Sequence, residues 1–245
     1  MDTGAYIENV FNVRSILAIF VIGVILYYAY RKEKIDKSAI LATAICGFIC
    51  LVAGGIKWIE PLILFFIVGN IFSHYKKTLK RKLGVEQEIR TWKNVFANGG
   101  AAIIFAWLYI LFSYSVFLFG LIGAMACALA DTSATELGQI YGKKPRLIKN
   151  LKRVPIGTPG AVSDEGFAFA LLGSGIISSL LLFWGYPMIV FLICLFAGFF
   201  GSVIDSVFGC TIEKKGDVDT THVINFLTTL AAGCLAIALY VCLVV

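Results

Sequence analysis

The chain has 245 residues, of which 59% are hydrophobic and only 15% charged, with a mean hydropathy of +0.88 and a net charge of +6. A soluble domain of this size has no use for so much apolar surface, so the bilayer is its solvent. The basic residues are scattered between apolar runs, which argues against a nucleic-acid partner and for anionic headgroups and phosphates.

Eight apolar runs are predicted as helical spans, at 13–30, 39–56, 59–74, 95–113, 115–131, 166–184, 187–205 and 221–245. The first follows Arg14 and has no small-x-small cleavage site before Arg31-Lys32-Glu33-Lys34, so a retained anchor is expected. Gly54-Gly55 near Pro61 separates the second span from the third, and Gly185-Tyr186-Pro187 separates the sixth from the seventh. Ser113-Tyr114-Ser115 is a weaker break, which leaves open a single kinked helix for spans four and five. The fifth and seventh runs fall short of the ~20 residues of a perpendicular span, which predicts tilt or an end inside a water-filled cavity.

Charge placement tests the count. Segments 31–37, 74–94, 131–166 and 205–220 carry 4, 7, 6 and 2 Lys/Arg, together 19 of the 21. An eight-span chain puts all four on one face, which the positive-inside rule makes cytoplasmic. The expectation is an all-α polytopic membrane protein, a single integral membrane domain over 1–245. Both termini then face outward, and 131–166 forms a cytoplasmic active-site loop region. The seven cysteines lie in or at the ends of apolar segments and include no CxxC pair. Cys46 and Cys50 share a helical face and read as packing, not as a zinc site or disulfide.

Chemistry concentrates where the fifth run turns polar, at Asp131-Thr132-Ser133-Ala134-Thr135-Glu136. Ionisable residues at a membrane edge are expensive and default to a functional reading. Asp131 alone reads equally as a helix cap. In an unbroken helix Asp131 and Glu136 are about 140° apart, so both cannot face one cation. Either Glu136 orients a basic residue or the helix unwinds. The second carboxylate is Asp205, on a stripe of Gly198, Gly201, Ser202 and Gly209. Small residues let helices approach closely but do not explain an acid among them. A hard cation such as Mg²⁺ takes one or two carboxylates plus phosphate oxygens, so Asp131 and Asp205 are expected to share a metal. The basic run Lys143, Lys144, Arg146, Lys149 serves topology in any case. Its place between Asp131 and the turn Gly157-Thr158-Pro159-Gly160, whose amides can form an anion nest, favours phosphate binding. No GxxxxGK[ST] or GxGxxG motif occurs. Asn98 and Asn225 read as substrate-lining or packing residues alike, and His74 has no ligand partner at metal spacing.

Several of these residues carry a resemblance. Ala130-Asp131-Thr132-x-x-x-Glu136-x-Gly138 is followed by Pro145-Arg146-Leu147-Ile148, then by Val154-Pro155-x-Gly157-Thr158-x-Gly160-Ala161-Val162-Ser163. Gly201-Ser202-x-x-Asp205-Ser206 and Val223-Ile224-Asn225 come later, and Arg90-Thr91-Trp92-x-x-Val95-x-x-Asn98-Gly99 precedes them all. Together they resemble the integral-membrane family of transmembrane protein 19 and plant phytyl-phosphate kinase. More distantly, Asp131-Thr132 through Tyr141-Gly142-Lys143-Lys144 is similar to phosphatidate cytidylyltransferases and to dolichol and phytol kinases, with Gln139 where their pattern has arginine. The resemblance implies phosphoryl transfer from a nucleoside triphosphate, CTP favoured, to an isoprenyl monophosphate, with Mg²⁺. Asp131, Glu136 and Asp205 would then be the acids of the site. Thr132, Lys143, Lys144, Arg146, Lys149, Gly157, Thr158, Gly160 and Ser163 would meet phosphates, and Asn98, Ser202, Ser206 and Asn225 would line the substrate. The alternatives are a cytidylyltransferase making a CDP-activated lipid and a lipid or small-molecule transporter. A transporter would favour inverted repeats with broken helices, of which the sequence shows none.

Overall fold

A computed structural model describes residues 12–85, 89–212 and 218–245. Among these residues eight helices are long and apolar enough to cross a membrane. They are α1 (Val13–Arg31), α2 (Lys37–Gly54), α3 (Ile56–His74), α5 (Trp92–Phe112), α6 (Val116–Tyr141), α7 (Asp164–Phe183), α8 (Met188–Thr211) and α9 (Val218–Leu243). A six-residue helix, α4 (Lys77–Lys82), follows α3, and two-residue strands β1 (Arg146–Leu147) and β2 (Ala161–Val162) lie between α6 and α7.

The eight-span count therefore holds, while the lengths of two spans are corrected. α6 has 26 residues and α8 has 24, so neither is short. The sequence-based boundary stopped α6 where polarity begins. The helix continues because one face of the polar stretch, through Ser133, Glu136 and Leu137, is buried against neighbours. Residues 131–141 are accordingly helix, and the connecting segment is confined to 142–163. The Ser113–Ser115 break is real: Ser113 takes a left-handed backbone (φ 58°), and α5 and α6 are separate helices.

α6 is the axle of the bundle. Every residue from Leu118 to Ala130 is buried, and α6 packs on α3, α5, α7, α8 and α9. A helix apolar on all sides belongs at such a position. Close approach rests on missing side chains. A Cβ on Gly173 of α7 would lie 2.5 Å from the Leu129 carbonyl oxygen, and one on Gly198 of α8 would lie 2.6 Å from the Ala126 Cβ. Lipid supplies no hydrophobic drive between helices, so this backbone-level packing is what holds the bundle together.

The polar loops converge at one end. Ile35 pairs with Arg90 in a parallel bridge, with Arg90 N–H donating to Lys34 O (3.0 Å) and Asp36 N–H to Arg90 O (3.1 Å). Lys93 Nζ pairs with Asp219 at 2.6 Å, Lys149 Nζ donates to Cys210 O at 3.1 Å, and Lys143 N–H to Glu165 at 3.1 Å. All four basic segments thus meet on one face of the bundle, as the charge alternation requires. Lys214 and Lys215 of the last segment lie outside the described residues. At the opposite end Trp184 Nε1 donates to Glu60 (2.8 Å), with Lys57 over the Trp184 ring.

Candidate active site

The axle helix and α8 run in parallel toward the polar end. They touch where Cys127 faces Gly201, close enough that a Cβ on Gly201 would lie 2.6 Å from the Cys127 Sγ. Asp131 and Asp205 are each four residues further on, one turn along adjacent helices, so the two acids come level with each other. Both line a cavity of about 1000 Å³ that α5, α6, α7, α8, α9 and the 156–163 turn surround. Asp205 is steadied from α9: Thr228 Oγ1 donates to Oδ2 at 2.9 Å, and Asn225, with its amide turned to donate, reaches the same oxygen at 3.2 Å. The cavity wall also includes Asn98, Thr132, Ser202 and Ser206, all of them oxygen-bearing.

This donor set suits a hard divalent cation. Two carboxylates beside hydroxyl and amide oxygens leave positions for phosphate oxygens, the usual mode for Mg²⁺. Among the described residues no cluster of three His, Cys, Asp or Glu side chains forms a self-sufficient metal cage. A cation held here would need further oxygen ligands from a bound molecule. Asp36 also reaches the cavity, but its carboxylate caps α2, accepting from Ala39 N–H (2.8 Å) and Ser38 Oγ (2.7 Å). The Ser38 hydroxyl and the Ala39 amide together hold that carboxyl below its usual range.

The turn at 155–160 closes the cavity from the loop side, with Gly157, Thr158, Gly160 and Ser163 in its lining. Gly157 and Gly160 both have left-handed backbones (φ 79° and 68°). Gly160 lies against α8, where a Cβ would come 2.5 Å from Ser206 O. Ser163 Oγ caps α7 by accepting from Gly166 N–H at 3.0 Å, and Thr158 Oγ1 donates to Pro155 O at 2.7 Å.

The basic run is placed differently from the expectation. Lys143, Lys144, Arg146 and Lys149 are exposed and do not line the cavity. Arg146 belongs to the β1–β2 ribbon, and Lys149 fastens that ribbon to the end of α8. Among the described residues, the lysine and arginine at the cavity wall are Lys93 and Arg90, which the residue-level reading passed over. Arg90 heads the motif that contains Asn98, and that pairing was the available signal.

Glu136 lies outside the cavity wall and faces away from Asp131, because α6 does not unwind. It is 1% exposed and forms a buried ion pair with Lys80, itself 2% exposed. Of the two arrangements the sequence allowed, this is the one in which Glu136 holds a base. His74 is exposed and bonds the Asn70 carbonyl (2.7 Å), while Asn70 donates to Phe66 O (2.6 Å).

Residues 20–237 match the family described as integral membrane protein DUF92. An uncharacterised membrane protein of Methanocaldococcus jannaschii is 32% identical over 232 residues, covering 93% of this chain and 95% of the relative. Two Arabidopsis thaliana proteins are also similar. Protein PGR is 26% identical, covering 83% of this chain and 80% of its own. Protein VTE6, chloroplastic, is 28% identical, covering 85% and 66%. No solved structure matches. The chain therefore belongs to the DUF92 family of integral membrane proteins, and the phytyl-phosphate kinase resemblance carried by its motifs falls within that family.

Proposed function

We propose that this protein is a membrane-embedded phosphotransferase that moves a phosphoryl group from a nucleoside triphosphate, CTP favoured, to an isoprenyl monophosphate. The observation that carries the reading is the levelling of Asp131 and Asp205 on adjacent parallel helices, inside one cavity at the polar end of an apolar bundle. The polar end faces the cytoplasm on this reading, because it gathers the basic segments. An isoprenyl monophosphate keeps its tail among the helices and lipid and presents its phosphate at that level.

An oxygen of the acceptor phosphate attacks the γ-phosphorus of the nucleotide, and the bond from that phosphorus to the β,γ-bridging oxygen breaks. The nucleoside diphosphate leaves with the bonding electrons, and the lipid departs as its diphosphate. The acceptor is already anionic near neutral pH, so no strong general base is needed. Catalysis then reduces to positioning and charge neutralisation. A divalent cation held by Asp131 and Asp205 would supply part of that neutralisation. Thr228 and Asn225 orient the Asp205 carboxylate. Gly157 and Gly160 bring the turn's backbone to the cavity wall, where an amide not engaged within the turn would serve as a neutral donor.

The test is to offer the purified protein each nucleoside triphosphate with phytyl or geranylgeranyl monophosphate and identify the products. Lipid diphosphate and nucleoside diphosphate are expected. A CDP-lipid with pyrophosphate would instead identify a cytidylyltransferase. Asp131→Asn and Asp205→Asn should each abolish divalent-cation-dependent turnover while leaving the protein folded and extractable. Near-normal turnover in either variant removes that acid from the site.

A further inference from the structure

Arg90 is held at three levels. Its main chain is bridged to Ile35, with bonds to Lys34 O and from Asp36 N–H. Its guanidinium donates through Nη2 to Ser73 Oγ at 2.8 Å. Its charge lies within the field of Glu136, which works against the burial that lowers the Arg90 pKa. A side chain fixed this way has little left to order on binding. Arg90 is a wall residue of the cavity that Asp131, Asp205 and Asn98 also line.

Beneath it lies a pair that the phosphotransfer reading does not use. Lys80 Nζ donates to Phe72 O (2.7 Å), to Ser73 O (3.2 Å) and to Glu136 Oε2. The other carboxylate oxygen, Glu136 Oε1, has no hydrogen-bond partner among the described residues. A buried ion pair is a poor source of stability, since desolvating two charges offsets their attraction, and an unsatisfied oxygen makes it poorer. What the pair does accomplish is local. Lys80 clamps the end of α3 through the carbonyls of residues 72 and 73, and Ser73 is the residue whose hydroxyl holds Arg90.

We infer that Arg90 grips a phosphate group in this cavity, and that the Lys80–Glu136 pair, acting through Ser73, is its positioning device. The inference deepens the phosphotransfer reading and rests on it for the identity of the phosphate-bearing ligands. The arrangement explains why the exposed basic loop is not needed at the cavity wall. It also gives Glu136 a role that requires no contact with substrate. Arginine suits the task because its fork matches two phosphate oxygens at once, which a lysine cannot do.

The experiment measures binding to the full chain in lipid nanodiscs, without turnover. The probes are CTP against cytidine and geranylgeranyl monophosphate against geranylgeraniol, so each arm isolates the phosphate. The wild type should prefer the phosphorylated member of at least one pair. Arg90→Ala should lower that preference at least about tenfold, the loss expected for a charge-assisted contact, and Arg90→Lys should restore part of it. The arm that responds tells whether the phosphate belongs to nucleotide or lipid. Glu136→Gln should weaken the same preference, and the Arg90→Ala/Glu136→Gln double variant should be no worse than Arg90→Ala alone. Additive losses, or a Glu136→Gln variant that melts earlier with its preference intact, overturn the positioning role. Unchanged preference in Arg90→Ala, or equal weakening of both members of a pair, overturns the phosphate grip. Absence of kinase products with the preference intact would sink the reaction assigned above and leave this site standing.

Discussion

Glu136 shows how far single residues can be read in the absence of a fold. Helical geometry alone separates it from Asp131 and predicts that it serves a base. Nothing in the chain identifies that base, because Lys80 is 56 residues away and one of seven Lys/Arg in its segment. Burial of a lysine at 2% exposure depends on α4 folding back over the polar extension of α6, a tertiary event without a local signature. The pair also sets a stability prediction. Lys80→Met strands a buried carboxylate and should cost about 3–5 kcal/mol, whereas Lys80→Met/Glu136→Leu should recover most of that. Thermal or denaturant unfolding in detergent would measure both, and a double variant as unstable as the single would mean that packing, not charge, sets the cost.

Among the elements, the eight helices were legible because apolar length is a strong signal and the basic segments alternate with it. Their ends were not. Polarity ended α6 ten residues early on paper, since a one-sided buried face in a polar stretch is visible only once its neighbours are placed. The same blindness affected the site. Asp131, Asp205, Thr158 and Gly160 line the cavity, while Lys143, Lys144, Arg146 and Lys149 lie outside its wall. A run of basic residues has one compositional signature whether it faces a cavity or solvent. Where the 142–163 connection meets α8, by contrast, it depends on the missing side chain of Gly160. Gly160 combines a left-handed backbone with contact against Ser206 O, so any side chain there both strains the turn and lifts it off α8. Gly160→Ala should lower turnover by roughly a hundredfold through misplacement of the turn. The melting temperature should change little, and a steady-state assay beside a melt would separate the two.

For the whole molecule, orientation follows from charge. A reporter fused after Val245 should read outside and one inserted in segment 74–94 should read inside; both on one side would break the eight-span arrangement. The depth of the cavity follows from the axle helix. From Val116 to Asp131 α6 rises roughly 23 Å, and ten further residues carry it roughly 15 Å beyond the acid. Against a hydrocarbon core of ~30 Å, the carboxylates lie below the rim of the polar end, at the floor of a well. In the proposed reaction a well of that depth would bring the nucleotide down to the lipid, so the acceptor tail would never have to leave hydrocarbon. Withdrawing it would cost about 0.8 kcal/mol for every methylene exposed. Lengthening the acceptor from geranyl to geranylgeranyl monophosphate should therefore leave kcat nearly unchanged in nanodiscs, where concentration is counted per lipid. A steep fall in kcat with tail length would show that the headgroup climbs out to react.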